Sequence, residues 1–214
     1  LASVSSPLTT SRPRDLWSEQ SPEEWWGAVA ATVVQLRERL GARWFAIRAI
    51  GLSGQMHGAV LLDHDGKPVR PAIIWNDGRS HAEARMLEQR VPGIGMIAGV
   101  PPMPGFAAPK LLWLRTHEPD VMARAAHLLI PKDYIRYRMT GTFATDVGDA
   151  SGGLLLDTGR RAWSDDIVRN CGIAPAMLPQ LMEGTAVSGR LRSDIAADWG
   201  LAQGIPVAAG TGDA

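Results

Sequence analysis

Asp213 is the residue of this sequence whose position most directly suggests chemistry. It follows the apolar run 205–209 and the turn Gly210-Thr211-Gly212. Such a run is typical of a buried strand, and in open α/β sheets ligands bind at the carboxyl ends of the strands. A carboxylate at that edge could contact a bound ligand, or it could accept hydrogen bonds from nearby amides. The segment by itself leaves both roles open.

A second candidate is the segment Gly54-Gln55-Met56-His57-Gly58, which lies between two predicted strands. Glycines at both ends favour an exposed bend. A histidine beside a glutamine offers neutral hydrogen-bonding groups, which suit the hydroxyl groups of a ligand. The alternative is a turn histidine bonded to a main-chain carbonyl group, and the segment alone does not decide between the two.

The third candidate is Trp75-Asn76-Asp77-Gly78-Arg79, directly after an apolar run. A tryptophan face packs on the apolar side of a sugar while Asn and Asp side chains bind its hydroxyls, so this mixture suits a polyol pocket. The alternative is a turn in which Asp77 pairs with Arg79, and for Arg79 we favour that pairing. The remaining polar cluster, Pro131-Lys132-Asp133-Tyr134, is less specific, because Asp133 could be an ordinary charge in the first turn of a helix.

Several common catalytic and cofactor motifs are missing from the sequence. It contains no Gly-x-x-x-x-Gly-Lys-Ser/Thr phosphate loop, no Gly-x-Gly-x-x-Gly after a strand and no Gly-x-Ser-x-Gly. No spacing of His or Cys residues suggests a metal site, so we predict no metal ligands. The other four histidines, outside the Met56-His57 segment, are expected on the surface or in the core: His64, His81, His117 and His127.

Alternating helices and strands must position these groups. One helix is predicted from Ser21 to Gly41, because Ser21 begins a capping-box pattern and Pro22 follows it. A second helix is predicted from Ser80 to about Arg90. Further helices are predicted to start near Pro109, Lys132, Ser164 and Asp194, and strands are predicted over 45–52, 58–62, 71–75, 127–130 and 205–209. This alternation predicts an α/β fold with a parallel or mixed sheet and flanking helices.

Composition excludes several classes of protein. The 214 residues carry 22 Lys plus Arg and 22 Asp plus Glu, so the formal net charge is zero, which argues against a nucleic-acid surface. No apolar run approaches the roughly 20 residues that span a bilayer, so no membrane partner is expected. The single cysteine, Cys171, excludes an internal disulfide and fits a reducing compartment. We predict a cytoplasmic protein.

Taken in order, the motifs resemble the FGGY carbohydrate kinases, and the similarity covers essentially the whole chain. The segments that carry it are Leu16-Trp17-Ser18-Glu19-Gln20, Gly54-Gln55-Met56-His57-Gly58, Ile74-Trp75-Asn76-Asp77-Gly78-Arg79, 105–114 (GFAAPKLLWL), Pro131-Lys132-Asp133-Tyr134 and Gly210-Thr211-Gly212-Asp213. Within the family, Gln-Met-His in the second segment points to D-xylulose as the sugar, because the glycerol kinases carry Arg-Glu there. Ala107 departs from the usual small hydroxyl residue or proline, and we expect little effect.

The resemblance implies two actin-like (ribonuclease H-like) domains around a cleft, the first holding sugar and the second ATP. Residues 1–214 resemble the first, sugar-binding domain. By this resemblance we expect residues 1–214 to lack the family's initial hairpin with Asp-x-Gly-Thr and its ATP-binding domain. We therefore expect the 214-residue chain by itself to be inactive as a kinase.

The resemblance also implies the roles of the site residues. Asp213 would be the catalytic base that takes the proton of the 5-hydroxyl of D-xylulose as it attacks the γ-phosphorus of ATP. Met56 and His57 would line the sugar pocket, with Trp75 and Asp77 as neighbours. Mg²⁺ would arrive with ATP, so no tightly bound cofactor or metal is expected on this chain, and a homodimer is among the assemblies to be tested.

Three alternatives remain at this point. The chain could be a non-catalytic sugar-sensing module or an actin-like assembly module, which zero net charge and exposed glycine loops permit. It could belong to a kinase of a related ketose or polyol. Sugar preference depends on how the pocket fits the sugar hydroxyls, and one residue can change that fit. A hydrolase pair of His57 and Asp213 is a weaker alternative, because no nucleophile elbow accompanies it.

Overall fold

The computed structural model describes residues 1–213, which form a mixture of helices and short strands. The helices are α1 (Pro22–Leu40), α2 (His81–Arg90), α3 (Ile94–Ala98), α4 (Ala107–His117), α5 (Pro119–Arg124), α6 (Pro131–Thr140), α7 (Val147–Ser151), α8 (Asp165–Cys171) and α9 (Ser193–Trp199). The strands are β1 (Glu19–Gln20), β2 (Ser53–Gly54), β3 (Val60–Leu62), β4 (Ala72–Ile73), β5 (His127–Leu129), β6 (Ala144–Asp146), β7 (Leu156–Asp157), β8 (Ala162–Trp163), β9 (Gln180–Met182), β10 (Val187–Arg190), β11 (Pro206–Ala208) and β12 (Thr211–Gly212). Two 3₁₀ segments span Gly41–Ala46 and Pro175–Met177.

Strand pairing is mixed. The pairs β2–β12 and β6–β9 are parallel, whereas β1–β4, β3–β5, β7–β8 and β10–β11 are antiparallel. Each pair forms a separate two-stranded ladder, so within residues 1–213 the strands do not join into one continuous sheet. The predicted α/β class with mixed pairing and flanking helices is confirmed, and the strands are shorter than the apolar runs suggested.

The two best-defined predicted helices form for the reasons that their sequences indicate. Pro22 and Pro131 occupy the first turns of α1 and α6, where a missing amide hydrogen costs nothing. Gly41 and Gly141 end them with positive φ values of 52° and 77°. The predicted capping boxes are wrong in detail, because neither initial serine side chain caps its helix; the Ser80 hydroxyl donates to the Pro104 carbonyl oxygen instead.

The strand predicted over 45–52 is wrong at its start. The chain continues from α1 in a 3₁₀ turn to Ala46, and Phe45 is exposed. Trp44 is buried instead, and its indole N–H donates to the Trp199 main-chain oxygen at 2.9 Å. Of the predicted strand, Ile50 alone forms a bridge, pairing in parallel with Val207. The buried hydrogen bond of Trp44 therefore accompanies a 3₁₀ turn here in place of the strand that the local apolar pattern predicts.

The core fixes the start of α4 next to the candidate site. The first eight residues of α4, 107–114, are all buried, and α4 packs against α2, α5 and α8. A second cluster joins α1 to α6 through an edge-to-face contact between Trp25 and Tyr134. No helix among residues 1–213 is long and apolar enough to cross a membrane.

Candidate functional site

The parallel pair β2–β12 brings the two candidate segments to one edge. Ser53 pairs with Thr211 and Gly54 with Gly212, and the Ser53 hydroxyl donates to the Gly212 carbonyl oxygen at 3.2 Å. Because parallel strands end at the same edge, the segments that follow them leave the ladder side by side. Residues 55–57 and Asp213 therefore lie at a common edge, where Asp213 is exposed.

Met56 and His57 pack on two glycine backbones at this edge. A Cβ atom at Gly152 would lie 2.6 Å from His57 Cε1 and 2.7 Å from Met56 Cε, and one at Gly212 would lie 2.6 Å from Met56 Sδ. Any larger residue at either position would displace these side chains. The close approach needs glycine, and it places the Met56 thioether beside the residue that precedes Asp213.

His57 is held in one orientation and one tautomer. Its φ is 67°, its ring centroid lies 4.7 Å from that of Phe106, and Nδ1 lies 2.5 Å from the Gly152 carbonyl oxygen. A carbonyl oxygen can only accept, so Nδ1 carries the proton and Nε2 keeps a lone pair that can accept from a hydroxyl. Burial lowers the pKa of His57, the Gly152 bond raises it, the charge of Lys110 lowers it and that of Asp213 raises it, with a net lowering that favours the neutral ring.

A buried lysine lies behind His57. Lys110 of α4 has no exposed surface, and its ammonium donates to the main-chain oxygens of His57 at 2.9 Å and Gly105 at 2.5 Å. Burial lowers the pKa of Lys110 to about 7, although the charge of Asp77 opposes this and that of Arg79 adds to it. The motif 105–114 therefore contributes to the site through Lys110, which supports the backbone of His57.

Trp75 and Asp77 occupy different environments near this support. The Trp75 side chain is 55% exposed, and its main-chain oxygen would lie 2.5 Å from a Cβ atom at Gly105. Asp77 is buried, and its carboxylate accepts hydrogen bonds from the Ser18 amide at 2.6 Å and from Arg79 Nη2 at 2.7 Å. The favoured pairing of Asp77 with Arg79 is confirmed. Met56, His57 and Asp213 come together, whereas the Trp75 main chain lies against Gly105 and the Asp77 carboxylate faces the protein interior.

A buried ion cluster next to Asp213 was not predicted as part of the site. We call it the α6–α7 ion cluster; it consists of Lys132, Asp133, Arg136, Asp146 and Asp149. Lys132 Nζ lies 2.6 Å from Asp133 Oδ1, 2.8 Å from Asp146 Oδ1 and 3.7 Å from Asp149 Oδ2. Burial raises the pKa of Asp149 to about 8; Lys132 lowers it, and the charges of Asp133, Asp146 and Asp213 raise it.

The sequence carried one signal that could have revealed the buried lysines. Lys110 lies inside the run AAPKLLWL, whose other members are all apolar, and Lys132 follows an apolar strand and a proline. A lysine in such a setting is expected to bury its ammonium with partners or to lower its pKa.

A cleft of about 450 Å³ lies beside β12 and α7. Gly148 and Ser151 of α7 and Thr211 of β12 are among the residues that line it. This volume lies in the range of small-molecule sites. Among residues 1–213, no group of three or more His, Cys, Asp or Glu side chains is arranged to hold a metal ion.

The fold brings two glycine-flanked segments to one edge, where the Met56 and His57 side chains lie near the exposed Asp213. Residues 1–214 match the family profile for the N-terminal domain of the FGGY family of carbohydrate kinases. The chain belongs to this family.

Known relatives agree with this assignment. The chain is 46% identical over 213 residues to a xylulose kinase of Escherichia coli, matching 100% of this chain and 43% of that protein. A solved xylulose kinase from Rhodospirillum rubrum is 30% identical with a TM-score of 0.93, over 97% of this chain and 43% of that one. A gluconate kinase from Lactobacillus acidophilus is 25% identical with a TM-score of 0.92; the match covers 100% of this chain and 43% of that one. The chain thus spans less than half the length of these relatives.

Proposed function

We propose that the protein containing this chain transfers the γ-phosphoryl group of ATP to the 5-hydroxyl of D-xylulose, and that residues 1–214 form its sugar-binding domain. The observation that carries the proposal is the meeting of Met56, His57 and Asp213 at the common edge of β2 and β12. The 46% identity to a xylulose kinase over the whole chain supports D-xylulose as the sugar. The gluconate kinase of similar fold keeps related sugars as candidates to be tested.

In the proposed mechanism the neutral His57 ring binds the sugar. Its Nε2 lone pair accepts a hydrogen bond from a hydroxyl group, because Nδ1 donates to the Gly152 carbonyl oxygen. Met56 gives the apolar carbon face of the sugar a flexible surface. The exposed Trp75 ring is a further proposed contact, and Asp77 would act by holding the turn that carries Trp75.

Asp213 is the proposed general base. Its carboxylate takes the proton of the 5-hydroxyl while that oxygen attacks the γ-phosphorus, and ADP leaves. Phosphoryl transfer needs alignment and charge neutralisation more than covalent help from the protein, so one positioned carboxylate is enough on this side. The residues described here do not assemble a metal site. Mg²⁺ would enter the site bound to ATP.

The location and assembly of the protein are also proposals. The single cysteine is compatible with the reducing environment of the cytoplasm. The mass of the full-length protein in solution tests whether it forms a homodimer. Neither point bears on the chemistry assigned to Asp213.

Asp213→Asn in the full-length protein tests the mechanism. We expect kcat for D-xylulose to fall by about 10²–10⁴-fold, the usual value of general-base catalysis, while calorimetry shows sugar binding close to wild type. Asp198→Asn, an exposed aspartate on α9, is the matched control and should keep full activity. Near-normal turnover in Asp213→Asn would exclude the base assignment.

A panel of sugars tests the substrate. D-xylulose should give the highest kcat/KM among D-xylulose, other ketoses, gluconate and glycerol. Binding of sugar without any phosphorylation would favour the sugar-sensing module instead, and self-association without sugar binding would favour the assembly module.

A further inference from the structure

Lys132 connects the α6–α7 ion cluster to the strand that leads to Asp213. Its ammonium is fully buried and donates to the Ala209 main-chain oxygen at 3.0 Å, in addition to its contacts with Asp133 and Asp146. Ala209 lies between β11 and β12, four residues before Asp213. One buried cation therefore ties three carboxylates of α6, β6 and α7 to the backbone that carries the proposed base.

The aliphatic part of Lys132 lies between the two segments of the site. A Cβ atom at Gly54 would lie 3.3 Å from Lys132 Cβ, and one at Gly210 would lie 3.2 Å from Lys132 Cδ. Gly54 precedes Met56 by two residues, and Gly210 precedes Asp213 by three. The lysine side chain thus fills the space between the sugar-contact segment and the carboxylate segment.

The ion cluster makes this connection rigid. A buried ammonium is costly unless it is paired and hydrogen-bonded, so Lys132 cannot turn towards solvent without leaving three carboxylates with Arg136 alone. The nearby carboxylates accordingly raise the pKa of Lys132 despite its burial. Arg136 completes the cluster from α6 by contacting Asp133, Thr142 and Ala144.

We propose that Lys132 is a positioning residue for phosphoryl transfer: it sets the distance between Asp213 and the sugar-binding pair Met56 and His57. This role rests on the proposed function. The ammonium acts on the Asp213 side through Ala209, and the side-chain carbons act on the sugar side through Gly54. Loss of the charge alone should therefore displace the carboxylate and leave the sugar contacts in place.

Lys132→Met in the full-length protein separates the two halves of this role. Methionine keeps the Cβ atom beside Gly54, places its Sδ atom where Lys132 has Cδ beside Gly210, and removes the ammonium. We expect kcat for D-xylulose to fall by about 10²-fold, the usual effect of a misplacement of about 1 Å, while KM stays within about threefold. A Lys132→Met variant that folds and keeps wild-type kcat would overturn the positioning role.

Arg136→Met is the matched control, because Arg136 is equally buried in the same cluster and its hydrogen bonds among residues 1–213 go to positions other than 209–213. It should lower the unfolding temperature and reduce kcat by much less than Lys132→Met does; Arg136→Lys replaces it if it does not fold. A loss of kcat as large as in Lys132→Met would overturn the role by showing that any damage to the cluster has the same effect.

A double variant covers the case in which Lys132→Met does not fold. Adding Asp149→Asn removes one of the carboxyl groups that Lys132→Met leaves without a cation, which should restore folding but not kcat. Recovery of wild-type kcat in the double variant would overturn the role. If the wild-type protein phosphorylates none of the sugars tested, the proposed function fails and this role fails with it, whereas wild-type activity with a normal Lys132→Met variant overturns this role alone.

Discussion

The Lys110 ammonium donates a 2.9 Å hydrogen bond to the main-chain oxygen of His57, a non-glycine residue whose φ is 67°. A left-handed backbone costs a residue with a Cβ atom about 1–2 kcal/mol, so the surrounding structure must hold it. Lys110 supplies this support from the buried face of α4, and its second bond to Gly105 ties the same ammonium to the turn beneath Trp75. Two parts of the proposed sugar site therefore depend on one cation.

Lys110→Met should weaken sugar binding more than it slows turnover. The substitution leaves the His57 and Gly105 carbonyl groups without their donor, at a cost of about 1–3 kcal/mol, and it releases the backbone that orients the imidazole. If about 1.4 kcal/mol of this appears in binding, KM for D-xylulose rises about tenfold. Because Lys110 does not contact the Asp213 segment, kcat should change less than KM. Steady-state kinetics measure both, and an unchanged KM would contradict the support role.

His57→Asn should separate the side chain of residue 57 from its backbone. Asparagine tolerates a positive φ, so the fold should be retained, but the ring contact with Phe106 and the Nε2 acceptor are lost. We expect at least about a tenfold loss of D-xylulose affinity by calorimetry, the equivalent of one neutral hydrogen bond. His57→Val tests the backbone, since a β-branched residue at this φ should lower the unfolding temperature as well. Wild-type affinity in His57→Asn would exclude the ring as a sugar ligand.

Local sequence patterns were sufficient for much of the fold. Pro22 with Gly41 marked the ends of α1, and Gly141 marked the end of α6, because a proline at the start and a glycine at the end act within a few residues. The strand predicted from residue 45 was wrong because the partner of Trp44 is Trp199, 155 residues away. No local pattern carries information at that distance.

The candidate site was predictable only where local sequence patterns mark it. Glycine-flanked segments marked residues 54–58 and 210–213 locally, and the pairing of β2 with β12 then follows from the fold. The burial of Lys132 had a local signal, but its partners in the α6–α7 ion cluster did not, because Asp133 and Asp149 resemble ordinary helix charges until Lys132 is placed beside them in three dimensions. The precise roles of buried charges depend on such long-range contacts.

Asp77→Asn should reduce stability more than sugar affinity. The carboxylate holds buried Arg79, whose guanidinium carbon lies 3.6 Å from the Trp17 ring centroid, and removing one partner of a buried ion pair typically costs about 3–5 kcal/mol. Chemical unfolding of the two proteins measures this loss. Arg79→Lys is the companion variant, which keeps the charge but loses the two-pronged geometry, and it should be less damaging. A large rise in KM without a loss of stability would instead make Asp77 a direct sugar ligand.

Asp149→Asn should make the protein less sensitive to pH on the acidic side of neutrality. The folded-state pKa of Asp149, about 8, lies above its ordinary value of 3.8. Its contribution to stability is therefore fully present below about pH 4 and is lost as pH rises through 8. At about 1.4 kcal/mol per pKa unit, wild type should lose about 3 kcal/mol between pH 5 and pH 7 from this group. Asparagine mimics the protonated carboxyl group and should remove that loss.

Unfolding free energies of wild type and Asp149→Asn at pH 5, 6 and 7 test this expectation. The groups that face Asp149 are Lys132, Asp133, Asp146 and Asp213, and all of them remain in the variant. Lys110 acts in a different window: its folded-state pKa of about 7 lies below the ordinary 10.5, so its contribution is present above pH 10.5 and is lost as pH falls to 7. That term is common to both proteins and cancels in their difference. Parallel pH profiles for the two proteins would show that Asp149 is ionised in the folded state despite its burial. The α6–α7 ion cluster would then carry an additional negative charge near Asp213.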